Sequence, residues 1–379
     1  MQKQYLLTAG PTPVPEEVLL AMARPVLYHR APAFTECFQS VQEGLKWIFQ
    51  TTQPVLTLAG SGTAGMEAAV TNFLSPGDRV LVVRGGKFGE RWGEIAQAYG
   101  LGVVPLDVEW GRAVDPAAVA QVLDRERGIR AVYVTASETS TGVRHPVEKI
   151  AAQCAKRPEV LCVVDAITAL GVFDLPMDKL GLDVVVAGSQ KALMLPPGLA
   201  FVAASDKAWQ AHATAKLPRF YLDLGKEKKS QAQGETSFTP AVSLIVGLRE
   251  SLRMLQADGL ENVFARHARL ARATRAAGQA LGMKLYAEPP SDAVTAFHVP
   301  PGLDGSAVVR HMRTRYGVTI AGGQGKAKGK ILRLAHLGWY GSFDILTAFS
   351  ALEMTLADLG HPVAAGTGVK AAQEVLREL

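Results

Sequence analysis

Asp183-Val184-Val185-Val186-Ala187-Gly188-Ser189-Gln190-Lys191 is the stretch from which the rest of the chain can be read. Four apolar residues, three of them β-branched, run without interruption, which is the pattern of a strand buried on both faces. The run ends in small residues and then a lysine. A second segment has the same design: Leu161-Cys162-Val163-Val164 runs straight into Asp165. Taken singly, a lysine after a strand is a solvated loop charge, and an aspartate at a strand end is a turn or helix-cap residue. Taken together, two buried strands deliver an amine and a carboxylate to one edge of a sheet.

The surrounding sequence supplies that sheet. Strand-like runs at 55–58, 80–83, 103–106, 131–135, 161–164, 184–187 and 199–203 alternate with amphipathic stretches at 65–74, 91–99, 116–124 and 146–156. This alternation predicts βαβ units: an α/β fold with a mostly parallel central sheet sandwiched by helices. Ligands of such sheets lie beyond the carboxyl ends of the strands, where Asp165 and Lys191 both fall. From about Pro240 the texture changes. A helical pattern spans 242–281 with a break at Gly259, shorter strands are expected at 284–287, 294–299, 318–320 and 331–334, and helices at 305–316, 342–359 and 369–379. The expected organisation is an N-terminal segment 1–15 lying over the site, a large domain 16–245 and a smaller α+β domain 246–379. A length of 379 residues suits two units, because single cores stop growing near ~250–300 residues.

Composition excludes several function classes. Apolar residues make up 48% and charged residues 20%, as in an ordinary globular protein. The net charge of +5 is dispersed apart from Lys226, Lys228 and Lys229, so no nucleic-acid surface is indicated. No window approaches the ~20 apolar residues of a membrane span. Cys37, Cys154 and Cys162 show no paired spacing and are read as reduced thiols. With no basic-apolar leader pattern at the start, the expected compartment is the cytoplasm.

Four further motifs carry chemistry. Gly60-Ser61-Gly62-Thr63-Ala64-Gly65 joins a strand to a helix start, where free N–H groups and hydroxyls suit a phosphate or merely cap the helix. Gly85-Gly86-Lys87-Phe88-Gly89 sets an aromatic among glycines, either beside a flat ligand or simply packed next to a turn. Ser137-Glu138-Thr139-Ser140-Thr141-Gly142 puts hydroxyls at another strand end, for a ligand or for the next helix cap. Gly322-Gly323-Gln324-Gly325 precedes a strand and is therefore a connection, not a P-loop. Within that strand, Arg333 needs an anion: a ligand carboxylate gripped by its planar fork, or an internal acid. A buried lysine and carboxylate beside a phosphate site are what pyridoxal phosphate chemistry requires, the one for the Schiff base and the other for the pyridinium nitrogen.

With these residues in place, the chain resembles the class V aminotransferases of pyridoxal-phosphate fold type I, in the alanine–glyoxylate and serine–glyoxylate (serine–pyruvate) branch. The resemblance runs through Gly10-Pro11-Thr12-Pro13, His29-Arg30, Gly60-Ser61-Gly62-Thr63, Ser140-Thr141-Gly142-Val143, Asp165-Ala166-Ile167, Ser189-Gln190-Lys191 and Phe238-Thr239-Pro240 to Arg333. It implies that Lys191 carries the cofactor and shuttles the proton. It also implies that Asp165 pairs with the ring nitrogen and that Ser61, Gly62, Thr63 and Gln190 hold the phosphate. Phe88 and Ile167 cover the two ring faces, Ser140 lies near the ring oxygen and substrate, and Arg333 with Gly10 receives the substrate. Thr236 and Thr239 reach the phosphate of a neighbouring subunit, so a homodimer with shared sites is implied. Two positions depart from the family: Phe88 stands where Trp is frequent, and Thr236 where an aromatic is frequent. The implied reaction moves an amino group from alanine or serine to glyoxylate or pyruvate. No second arginine for a distal carboxylate is evident in the sequence. Alternatives within the fold are a 2-aminoethylphosphonate–pyruvate aminotransferase, for which no phosphonate groups stand out, and a lyase such as a cysteine desulfurase. An alternative of another class is a non-catalytic subunit of a larger complex, as in relatives labelled soluble hydrogenase small subunit.

Overall fold

The seven apolar runs become one sheet in the computed structural model, which describes residues 3–378; Met1, Gln2 and Leu379 lie outside the described residues. We label its strands β1 (Val55–Gly60), β2 (Arg79–Arg84), β3 (Gly102–Asp107), β4 (Ile129–Thr135), β5 (Leu161–Asp165), β6 (Val184–Gly188) and β7 (Gly198–Ala204). Their order across the sheet is β1-β7-β6-β5-β4-β2-β3. Strand β7 runs antiparallel to both its neighbours, and the other pairings are parallel.

The uninterrupted apolar runs follow from burial on both faces. Along β5, Leu161 and Val163 enter one apolar cluster while Cys162 and Val164 enter the other. Along β6, Val184 and Val186 face the first cluster and Val185 and Ala187 the second. Each leucine or valine among them contributes about 1.5–3 kcal/mol by leaving water. The β5–β6 register sets Asp165 opposite Val186. The acid therefore sits at the carboxyl end of β5, and the chain leaving β6 passes beside it.

One face of the sheet is covered by a helix that the alternation does not reveal, Pro32–Phe49. Its buried Phe34, Cys37, Phe38, Val41, Leu45 and Ile48 follow the helical repeat. It packs against Val242–Asp258, which also covers the short helix Glu16–Met22. The break expected at Gly259 is present, with φ 81°, and Leu260–Ala280 follows. A boundary at 245/246 falls inside the helix Val242–Asp258.

The C-terminal part carries a three-stranded antiparallel sheet: β8 (Val294–His298), β9 (Ala321–Gly322) and β10 (Ile331–Ala335), in the order β8-β10-β9. The strand expected at 284–287 is not formed. Only Leu285 makes a bridge, to Phe297, and the chain then leaves this edge, with Glu288 bridging Arg112 instead. Val318–Thr319 instead pairs in parallel with Tyr5–Leu6. That pairing ties the N-terminal segment down and sends residues 8–12 across the end of β6.

Candidate active site

The lysine follows β6 by three residues and is held by the backbone around it. Ser189 donates its hydroxyl to the Pro196 carbonyl (2.8 Å) and accepts from the Leu199 N–H (3.2 Å), fixing the loop. Thr12 donates its hydroxyl to the Lys191 carbonyl (3.1 Å), and the Lys191 ammonium donates to the Ala9 carbonyl (2.5 Å). Gly10 lies directly against the amine; a Cβ there would overlap Nζ, and its φ of 147° suits only glycine. Burial pushes the Lys191 pKa down to about 8, with Arg333 and Arg91 helping and Asp165 opposing.

Asp165 is 2% exposed. One oxygen accepts from the Ile167 N–H (2.8 Å), and the other has no partner among the described residues. Burial pushes its pKa up to about 7; Glu138 adds to the rise, and Lys191 and Arg91 work against it. An acid and an amine, each drawn toward neutrality by lost hydration, thus face one cleft of about 590 Å³.

The cleft is lined by Ser61, Gly62, Thr63, Phe88, Asp165, Ile167, Gln190 and Lys191, which the sequence singled out, by Thr139 of the hydroxyl run, and by Arg91 and Thr168, which it did not single out. Ser61 is the N-cap of the helix Gly62–Thr71, yet its hydroxyl caps nothing; the Ala64 N–H donates to the Ser61 carbonyl (2.8 Å), while the amides of Gly62 and Thr63 have no acceptor among the described residues. Gln190 Oε1 is buried without a partner. A helix start with free amides and a buried amide lacking a partner are features of a site shaped for an anion. The guanidinium of Arg91 stands over the Phe88 ring (4.9 Å to the centroid) and donates to the Thr63 hydroxyl (3.2 Å). It is an arginine at the cleft, hidden in the sequence because it reads as the solvent face of an amphipathic helix.

Four of the expected residues do not line this cleft. The Ser140 hydroxyl is engaged away from the cleft, donating to Glu138 (2.5 Å) and accepting from the Lys87 N–H (2.9 Å). Thr236 and Thr239 line a separate cavity of about 380 Å³ with Tyr221, Glu227 and Phe238. Arg333 is 6% exposed and donates to the carbonyls of Gly322 (2.8 Å) and Thr139 (2.7 Å), while its Nη2 has no partner among the described residues. Burial pushes its pKa down to about 10, against the pull of Glu138.

Residues 4–338 match the family described as Aminotransferase class-V. The chain belongs to that family. It is 48% identical to the soluble hydrogenase small subunit of a Synechococcus strain, over 99% of this chain and 98% of the relative. It is 42% identical to the L-aspartate–glyoxylate aminotransferase of Paracoccus denitrificans, over 97% and 95%. Among solved structures, the alanine–glyoxylate aminotransferase of a Nostoc species superposes with a TM-score of 0.90 at 29% identity, over 94% of this chain and 96% of that one. This class V aminotransferase therefore combines the family's fold with a cleft that gathers a lysine, a carboxylate and a helix start. Amino-group transfer is the chemistry that this membership assigns to it.

Proposed function

We propose that the cleft binds pyridoxal 5′-phosphate and that the protein moves an amino group from alanine or serine to glyoxylate or pyruvate. The observation that carries this reading is a buried amine and a buried carboxylate, from neighbouring parallel strands, lining one cleft beside free helix amides. The residues fit the cofactor. Ser61, Gly62, Thr63 and Gln190 would hold its phosphate, Phe88 and Ile167 its two ring faces, Asp165 its ring nitrogen and Lys191 its aldehyde. When bound, the cofactor supplies an electron sink for charge developing at the substrate Cα. Lys191, already drawn toward its neutral form, takes a proton from that carbon and returns it. The free Nη2 of Arg333 receives the substrate carboxylate and orients the Cα–H bond. Ala9 and Gly10 close the pocket over Lys191 and favour short side chains. Glyoxylate as acceptor agrees with the names of both aminotransferase relatives cited above.

Two measurements test this. Purified protein is expected to absorb in the visible with bound cofactor, and borohydride is expected to fix that cofactor on Lys191. In a matrix of alanine, serine, aspartate and glutamate against glyoxylate and pyruvate, alanine or serine with glyoxylate is expected to be fastest. Glutamate far superior to both would reject the small-donor reading. Colourless protein that takes up no cofactor would favour the subunit reading carried by the hydrogenase-named relative. A desulfurase needs an accessible thiol, and Cys37, Cys154 and Cys162 are all buried; the same three free thiols support a cytoplasmic setting. No described helix is long and apolar enough to cross a membrane.

The working form we propose is a homodimer in which Thr236 and Thr239 reach the partner's phosphate. Leu19, Leu20, Val26 and Tyr28 are exposed near the N-terminus, and Phe220 and Tyr221 beside Phe238, next to the cavity that holds both threonines. Apolar exposure of this kind favours association. Sedimentation is expected to give twice the 40.4 kDa chain mass, and Leu20→Lys combined with Tyr28→Lys to shift it toward monomer with loss of cofactor.

A further inference from the structure

A phosphate needs more positive charge than its candidate cradle carries. Ser61, Gly62, Thr63 and Gln190 are neutral, and the helix start beside them supplies only about half a unit charge. A phosphate monoester loses its second proton at about pH 6 and approaches a dianion at neutral pH. Among the residues lining the cleft, the charged ones are Asp165, Lys191 and Arg91. Asp165 has the wrong sign, and Lys191 is taken by the aldehyde. Arg91 is the cation left over.

Its place is set by contacts on both sides. Arg91 lies one turn beyond Phe88 on the helix Lys87–Ala98. The buried carboxylate of Glu138 anchors the start of that helix. It accepts from the N–H groups of Phe88 (3.2 Å) and Gly89 (2.9 Å), which have no acceptor inside the helix, and from the N–H (3.2 Å) and hydroxyl (2.5 Å) of Ser140. From this anchored turn the Arg91 guanidinium reaches over the Phe88 ring (4.9 Å) and donates through Nη1 to the Thr63 hydroxyl (3.2 Å). Phe88 is the residue read as covering a ring face, and Thr63 is the second residue of the helix Gly62–Thr71. The cation therefore stands where the ring wall meets the phosphate cradle. A hydroxyl that accepts from Arg91 keeps its own proton to give, and Thr63 donates that proton to no acceptor among the described residues.

No acid of the protein claims this charge. Arg91 forms no ion pair among the described residues, and its Nε and Nη2 have no hydrogen-bond partner there. On its own helix, Glu90 is paired with Lys87 (2.7 Å) and Glu94 is exposed. On the helix packed beside it, Glu67 accepts from the Tyr99 hydroxyl. The oxygens of Glu138 are filled by its four donors. A planar fork with unused donors next to a helix start matches the oxygens of a phosphate. We propose that Arg91 is a further cofactor-binding residue: held over Phe88 and against Thr63, its guanidinium supplies the counter-charge for the cofactor phosphate and sets the Thr63 hydroxyl as a donor to it. This rests on the reading of the cleft as a pyridoxal-phosphate site and adds a side-chain cation to its phosphate end.

The test compares two ligands that share the ring and the aldehyde and differ in the phosphate. Pyridoxal 5′-phosphate and pyridoxal are each titrated into the full chain freed of cofactor, and the dissociation constants are read from the change in absorbance. The quantity that decides is the preference, the ratio of the two constants. Arg91→Gln is expected to weaken pyridoxal 5′-phosphate about ten-fold to a hundred-fold and to leave pyridoxal within about three-fold, as for loss of a hydrogen bond to a charged group. The preference then shrinks about ten-fold or more. An arginine that only props the Phe88 ring would weaken both ligands by the same factor, and one that only faces solvent would weaken neither. A preference unchanged for either reason overturns the proposal. If the Gln chain does not fold, Arg91→Met, which keeps the apolar stem against Phe88, decides by the same ratio. A wild type that binds neither ligand, or both equally, would instead remove the pyridoxal-phosphate reading beneath this inference.

Discussion

Lys191→Ala is expected to cut turnover by at least about a thousand-fold, since positioned acid–base groups alone contribute about 10²–10⁴ and the covalent link to the cofactor is lost as well. Borohydride should then fix no cofactor on the chain. Stability should change little, because among the described residues the side chain loses one hydrogen bond, to the Ala9 carbonyl, and the amine it removes is desolvated. The pH dependence separates this from general damage. The folded chain has released the lysine proton above about 8, while the unfolded chain keeps it until near the ordinary lysine value of 10.5. Between those values the unfolded state binds more protons, so the wild type gains stability relative to Lys191→Ala as pH rises. Added methylamine should restore part of the turnover by entering the space left by the side chain. A variant retaining a tenth of wild-type activity without added amine would remove Lys191 from the chemistry.

The parts of this molecule that were legible in its sequence are those in which one pattern has one physical cause. Strands β5 and β6 are apolar throughout because both sheet faces are covered, and the polar residues that end them can only lie at the sheet edge. The helix Pro32–Phe49 is written as clearly, with Phe34, Phe38, Val41 and Leu45 on one repeat, but it precedes the β1 strand and so falls outside the alternation. Arg91 and Glu138 were hidden for different reasons. An arginine on an amphipathic helix looks like a solvated charge, and only the tertiary fold turns it over the Phe88 ring. Glu138 is the one acid in a run of small hydroxyl residues, and its four donors come from residues up to 50 positions away in sequence as well as from its near neighbour Ser140. The strand expected at 284–287 failed because local apolar pattern cannot see the loop that takes Glu288 to a bridge with Arg112. In each case the missing information is a long-range contact, and no local propensity encodes it.

Asp165→Asn should give the second large effect, and with it an opposite change in stability. Loss of an electrostatic stabiliser in a closed site typically costs about 3–4 kcal/mol, so turnover is expected to fall about 10²–10³-fold while donor preference stays the same. The cofactor-free protein should not be weakened. In the folded chain burial holds the Asp165 pKa at about 7, well above the ordinary aspartate value of 3.8. Between those two values the folded state binds a proton that the unfolded state has given up, so this carboxyl makes stability fall as pH rises through the window. Asparagine keeps the shape and can still accept from the Ile167 N–H, but it never has to ionise in a buried site. The variant is therefore expected to melt no lower than the wild type at pH 6 and higher at pH 8 when both are free of cofactor. Adding cofactor should reverse the order, because only the wild-type carboxylate gains a cationic partner. Calorimetry on the four samples checks this directly. A cofactor-free Asn chain that melts several degrees lower at pH 8, or a loaded one that keeps turnover within about five-fold, would mean that position 165 serves the fold rather than the reaction.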